Sequence, residues 1–336
     1  MPAYLLEIGC EEIPAAFIPS STQFLLEEWT KRLHTLNLPF SSIETGGTPR
    51  RLFINIEGLP LSQEDKTEII MGPPASIAFN EDGSLTEAAK KFALSKGIAE
   101  ETLKKVTTQK GDYLQGEKKT GGENTADLLS KVAPEIIKSI PFPKSMKWGN
   151  NDFKFVRPIH WFLSIFEGNV IEFEADGIKA GNKTYGHRFL SPDSIEVVNV
   201  NDYKDNLIKA YVYVDIAQRK EIIKTQIDEI QSNKNIVIDV EENLLNTVSN
   251  LVEYPYAVLG SFDESFLTLP EEVLITSMKI HQKYFPVRNK DGKLLNKFVG
   301  IANIVSPNGD SLIRQGYERV LKARLNDGLF FYNNDK

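Results

Sequence analysis

Apolar patterns of period two and of period 3.6 follow one another along this chain without the regular alternation that a parallel βαβ sheet requires, which constrains the fold more than any single motif. Residues 4–8 read as a buried strand, broken by Glu11-Glu12-Ile13-Pro14. Ser20, Ser21 or Thr22 can cap a helix whose apolar positions are Phe24, Leu25, Trp29, Leu33 and Leu36. Residues 51–57 then alternate, with Leu52, Ile54 and Ile56 on one face, as in a half-buried strand. Thr86 is expected to cap a helix over 87–96 that Gly97 ends, and Leu128, Val132, Ile136 and Ile140 line another over 127–140. Asp215 opens a helix with an isoleucine stripe and Arg219, Lys220, Lys224 and Asp228 on its polar side. Helices over 240–252 and, from Pro270, over 270–281 precede a hairpin turned by Asp291-Gly292.

This order predicts an α+β protein built of antiparallel sheets and packed helices. At 336 residues the chain exceeds what one core supports, so more than one unit is expected. We place an N-terminal α+β region at 1–200 and a second at 201–336, which ends in a helical pattern over 318–331.

Composition is that of a soluble globular protein, with 41% apolar and 25% charged residues and no apolar run long enough for a membrane span. No secretory signal is visible, and the single cysteine, Cys10, permits no internal disulfide, so a cytoplasmic location is expected. A net charge of −7 argues against a general nucleic-acid coat protein. Within this acidic bulk lie short basic-aromatic islands: residues 141–149, Arg157-Pro158-Ile159-His160-Trp161, Tyr185-Gly186-His187-Arg188-Phe189 and residues 278–285. Three of the four histidines fall in them. Cations beside flat rings suit phosphate contact with base stacking, the way unpaired RNA is held.

Motifs for independent chemistry are missing. The sequence has no phosphate loop, dinucleotide fingerprint, nucleophile elbow, HExxH or CxxC. Lys144-Ser145-Met146-Lys147 is superficially similar to the mobile lysine loop of class I synthetases, but its His-Ile-Gly-His partner is absent. The histidines are too scattered for a metal site, and Glu11-Glu12 read as solvent-facing acids or as partners of Arg50-Arg51.

Eight segments, in order, resemble the β subunit of bacterial heterotetrameric (α2β2) glycyl-tRNA synthetase: residues 7–14, Thr48-Pro49-Arg50-Arg51-Leu52, Gly72-Pro73-Pro74, 141–149, 157–161, Gly186-His187-Arg188-Phe189, 278–285 and 319–324. The resemblance spans the whole chain. It departs at Cys10, Tyr317 and Gly328, where threonine, asparagine and alanine are usual. It implies an N-terminal fragment of a chain about twice as long, inactive alone, within a glycine–tRNA ligase. The α subunit and tRNA(Gly) are the implied partners, with no membrane or DNA. No cofactor is implied in this chain, since ATP and magnesium would be used through the α subunit. A tRNA-editing hydrolase and a purely structural assembly module stay open as alternatives.

No catalytic residue is expected. The candidate phosphate contacts are Arg50, Arg51, Lys144, Lys147, Arg157, Arg188, Lys279, Lys283, Arg319 and Arg324. Trp148, His160, His187, His281 and Tyr284 are the candidates for stacking or hydrogen bonding. Trp161 reads as core, because it begins an apolar run.

Overall fold

The computed structural model describes residues 2–148, 153–306 and 309–334. Gly149 of the basic-aromatic motif and the tail residues Asp335 and Lys336 lie outside them.

The strand Ala3–Cys10 is the middle of the main sheet, and its apolar run is explained by cover on both faces. Tyr4, Leu6, Ile8 and Cys10 share one core with residues of the helices Ile18–Thr35 and Thr125–Ser139. Leu5 faces the other way, into a layer with Tyr203, Leu207, Val212 and Val214. The spatial order is Glu174–Ala175, Ile178–Gly181, Ile159–Phe166, Ala3–Cys10, Arg51–Glu57, Ser42–Thr48, with Asn169–Val170 also paired to Ile159–Phe166. Every pairing in this sheet is antiparallel except that of Ile178–Gly181 with Ile159–Phe166. Glu7 stands opposite Phe53 on one side and Leu163 on the other, so a carboxylate enters the sheet's centre.

In sequence between the strand Arg51–Glu57 and the helix Thr125–Ser139, the chain makes a small three-stranded sheet, ordered Lys66–Pro74, Gly111–Thr120, Lys104–Thr108, covered by the helix Glu87–Lys96. The α+β class is thus observed, and two of the helices carry their expected caps. Thr86 Oγ1 accepts from the Ala89 N–H, Gly97 ends that helix at φ 65°, and Asp215 caps the helix Ile216–Lys234.

The second unit is a four-stranded sheet ordered Val237–Ile238, Phe285–Arg288, Leu294–Ala302, Tyr256–Ser261. Val287 and Val299 pack under the helices Ile216–Lys234 and Glu242–Ser249, while Phe298 packs with Met278, Leu321 and Leu325 on the opposite face. Tyr203 and Leu207 belong to the first unit's core, and Ile223 is the first residue of the second unit's core.

Three expectations need correcting. The first long helix is not capped by Ser20, Ser21 or Thr22: it begins at Ile18, with Pro19 in its first turn and no side-chain cap, and those hydroxyls donate to carbonyls of the preceding turn. The helix foreseen over 270–281 is α-helical only over Glu271–Thr276, with Pro270 as its cap, and continues as a π-turn over Ser277–Gln282. Lys283 then reverses the backbone at φ 61°. Arg219 is not on a solvated face: it is fully buried.

Candidate nucleic-acid interface

Four of the segments singled out in the sequence converge where the two units meet. The turn Thr48-Pro49-Arg50-Arg51 links two strands of the main sheet and holds the segment after Ala3–Cys10 through backbone bonds from Cys10 N–H to the Arg50 carbonyl and from Ile13 N–H to the Pro49 carbonyl. That places Arg51 next to Glu7, and both side chains are fully buried. Arg51 Nη1 lies 3.5 Å from Glu7 Oε2, and Arg51 Nε lies 3.2 Å from Oε1 of Glu253 in the second unit. Thr48 donates its hydroxyl to the same Glu253 oxygen at 2.6 Å. Glu7 Oε1 accepts from Trp161 Nε1 at 2.5 Å and Thr184 Oγ1 at 2.6 Å, and Tyr203 donates to Oε2.

Burial alone would depress the Arg51 pKa, but Glu253 and Glu7 more than offset it and hold it above the usual arginine range. Glu253 is likewise opposed by burial yet held below the ordinary carboxylate value, chiefly by Arg51 and then by Thr48. Both groups are therefore ionised at neutral pH. Arg219 completes the junction by donating to the carbonyls of Ser249 at 2.7 Å, Tyr213 at 2.6 Å and Gly47 at 2.8 Å; burial lowers its pKa to about 10.

Above this buried layer sits an accessible one. Glu11 accepts from Arg188 Nη2 at 2.5 Å and pairs with His160 Nε2 at 2.9 Å, while Arg157 Nε donates to the Glu12 carbonyl at 2.8 Å. The Arg188 bond, aided by His160, holds Glu11 below the normal carboxylate value. Arg50 lies between the layers, its guanidinium carbon 5.8 Å from the Trp161 ring centroid. His187 is 1% exposed, and its Nδ1 accepts the backbone N–H groups of Phe189 and Leu190 at 3.3 Å each. Burial lowers its pKa, so the ring is neutral at physiological pH.

The structure thus gathers Arg50, Arg51, Arg157, His160, His187 and Arg188, of which only Arg157 and His160 are well exposed. Arg51 and His187 are corrections: both are interior groups, one ion-paired and one supporting a turn. Tyr284 is a third, stacked 4.6 Å from Phe298 in the second core. Lys279 is held by Asp239 at 2.8 Å and Glu241 at 3.2 Å, and Lys283 donates to the Ile280 carbonyl. These two lysines line a groove of about 390 Å³, while His281 is exposed. Arg319 and Arg324 are exposed on the helix Ser311–Asn334, and Lys144 and Lys147 are exposed by the hairpin in which Trp148 donates to the Phe155 carbonyl.

Glu7, Glu253, Tyr203 and Thr184 went unrecognised as members of the site. Only Glu7 carried a signal, as a lone charge inside an apolar strand; a charge in such a place is expected to be paired. Cys10 is buried and its thiol pKa is raised by that burial, consistent with a small apolar core residue. Gly328 leaves room for the usual alanine, since a Cβ there would meet Val273 at 3.7 Å. Among the described residues no cluster of three or more His, Cys, Asp or Glu could hold a metal, and no helix is long and apolar enough to cross a membrane.

Comparison with known proteins agrees with the resemblance of the motifs. A family model described as glycyl-tRNA synthetase beta subunit matches residues 4–336. A glycine–tRNA ligase beta subunit of Syntrophotalea carbinolica is 41% identical over 331 residues, covering 98% of this chain and 48% of the relative. Those of Trichlorobacter lovleyi and Clostridioides difficile are each 42% identical, over 99% and 100% of this chain and 48% of each relative. The chain spans about half the length of the curated relatives it matches. It belongs to the glycyl-tRNA synthetase beta subunit family.

Proposed function

We propose that this chain serves glycyl-tRNA synthesis as the tRNA-recognising and α-subunit-binding part of a glycine–tRNA ligase, the reaction that joins glycine to tRNA(Gly) with conversion of ATP to AMP and diphosphate. Adenylate formation, with its ATP and magnesium, falls to the separate α subunit, in keeping with the lack of an ATP-binding motif in this sequence. The observation that carries the reading is the convergence of Arg157, His160 and Arg188 around Glu11 on one accessible face, from segments up to 177 residues apart. Arg50, Lys144, Lys147, Arg319 and Arg324 are further candidate phosphate contacts. A rigid buried layer beneath the face fixes where Arg50, Arg157 and Arg188 stand, which suits positioning of an RNA backbone.

The test is filter binding of labelled tRNA(Gly) to the full α–β complex across a salt series. Arg157→Glu is expected to weaken binding and to reduce the slope of log affinity against log salt by about 0.7 to 0.9, the share of one phosphate contact. Unchanged affinity and slope would remove this face from tRNA recognition. ATP–pyrophosphate exchange by α-free protein would refute the assignment of adenylation to the α subunit.

A further inference from the structure

We propose that Phe189 is a stacking platform for an unpaired RNA nucleotide; the inference rests on the tRNA-binding reading above. Phe189 is 73% exposed, and singly exposed apolar side chains are common on protein surfaces. What distinguishes this one is how firmly its backbone is held. His187, itself buried, accepts the N–H groups of Phe189 and Leu190, donates its own N–H to the Ala210 carbonyl at 2.9 Å, and accepts the Ser191 N–H at its carbonyl at 2.9 Å. The turn is closed tightly enough that a Cβ on Gly186 would lie 2.5 Å from the Ser191 carbonyl oxygen. An aromatic ring is therefore presented to solvent on a fixed support, and little ordering cost remains for a ligand that meets it.

The surroundings select the ligand. The preceding residue, Arg188, is fixed on Glu11, which also holds His160, and Arg157 is bonded to the neighbouring Glu12 backbone. Arg188 is already ion-paired with Glu11, and Glu12 adds a second carboxylate beside the Arg157 contact, so counterion release from this face is reduced. A polar, nearly balanced surface around one ring is a poor match for an apolar protein hot spot. It suits a nucleotide, whose base offers a π-face while its phosphate reaches a nearby cation. Bases inside a duplex are already stacked, so the nucleotide must be unpaired.

The experiment uses the full-length chain with its α partner. Phe189→Trp supplies a reporter whose emission is expected to be quenched by a tRNA(Gly) transcript and not by a blunt RNA duplex. Phe189→Leu, which keeps an apolar side chain but removes the π-face, is expected to weaken tRNA binding about tenfold, within the range for one stacked base, with the salt slope unchanged. Phe189→Tyr should bind as wild type. If Phe189→Leu binds tRNA normally while Arg157→Glu does not, stacking is refuted and the tRNA reading stands. If neither substitution alters binding, the tRNA reading of this face fails as well. A blue shift of the Phe189→Trp emission on adding α subunit without RNA would identify the ring as a protein contact and overturn the proposal.

Discussion

Arg51 and Glu253 are 202 residues apart in the chain and 3.2 Å apart in the fold, and their contact is buried on both sides. Each lies in a different unit, so the pair makes the junction between units part of the interior. Such a contact is a weak contributor relative to a well-packed apolar pair, yet breaking it from one side leaves a buried charge unmatched. Its main structural effect is to fix register between the two units.

Glu253→Gln should therefore lower the unfolding free energy by about 3–5 kcal/mol, because Arg51 keeps only Glu7 as a counter-charge. Urea denaturation checks this. Because Arg51 also faces Glu7, Arg51→Met is destabilising as well, but the double variant should lose less than the sum of the two single losses, and a purely additive double variant would show that the two groups do not couple.

Gly9 is required by Trp161. A Cβ at Gly9 would fall 1.8 Å from Trp161 Cε2, and the indole cannot withdraw without losing its bond to Glu7. Gly9→Ala should cost about 1–3 kcal/mol or more through overpacking. A melting temperature equal to wild type would show that the ring has another place to go.

Acid sensitivity should come from His187 as well as from carboxylates. Its folded pKa lies below the ordinary imidazole value of 6.5, so the stability it contributes is complete above that pH and is lost as pH falls toward the folded pKa. Glu253, also depressed, is fully stabilising above about 4.5 and loses its contribution below that. His187→Asn keeps an acceptor for the Phe189 and Leu190 N–H groups and removes the titration. Denaturation midpoints measured from pH 7.5 to 5 should then decline less in the variant than in wild type. An identical decline would assign the sensitivity elsewhere.

At the π-turn, Lys283→Gly should be neutral or stabilising by about 0.5–1 kcal/mol, since a positive φ costs a non-glycine residue. Lys279→Glu should instead lower the melting temperature, because it sets three carboxylates together where Asp239 and Glu241 now hold an ammonium. Should Lys279→Glu melt like wild type, the triad is solvated and contributes nothing.

Much of the fold could be read in advance where the chain answers to local rules. Thr86 with Gly97 and Asp215 with the isoleucines behind it are signals complete within one helix, and the structure follows them. Arg219 shows the limit: helical periodicity sorts residues by type and assigned it to water, but its guanidinium satisfies carbonyls from three separate segments. Tyr284 failed for a related reason, since its ring is claimed by Phe298 and Tyr317 across the hairpin and the final helix. Around Glu11 the motifs named segments that the fold brings together, but exposure could not be judged from them. Thr48-Pro49-Arg50-Arg51 supplies one arginine near the surface and one in the interior, and only the pairing with Glu7 and Glu253 decides which. Glu253 had no local signal at all.

The placement of Glu253 also has a consequence in time. A chain is made from its N-terminus at about 5–20 residues per second, so roughly ten to forty seconds separate the synthesis of Arg51 from that of Glu253. Until Glu253 is made, Glu7 is the one buried counter-charge that the nascent sheet can set against Arg51, and the Thr48 hydroxyl still waits for its Glu253 acceptor. The first half of the molecule is therefore born with its lock open, and the pace of translation sets how long it stays so.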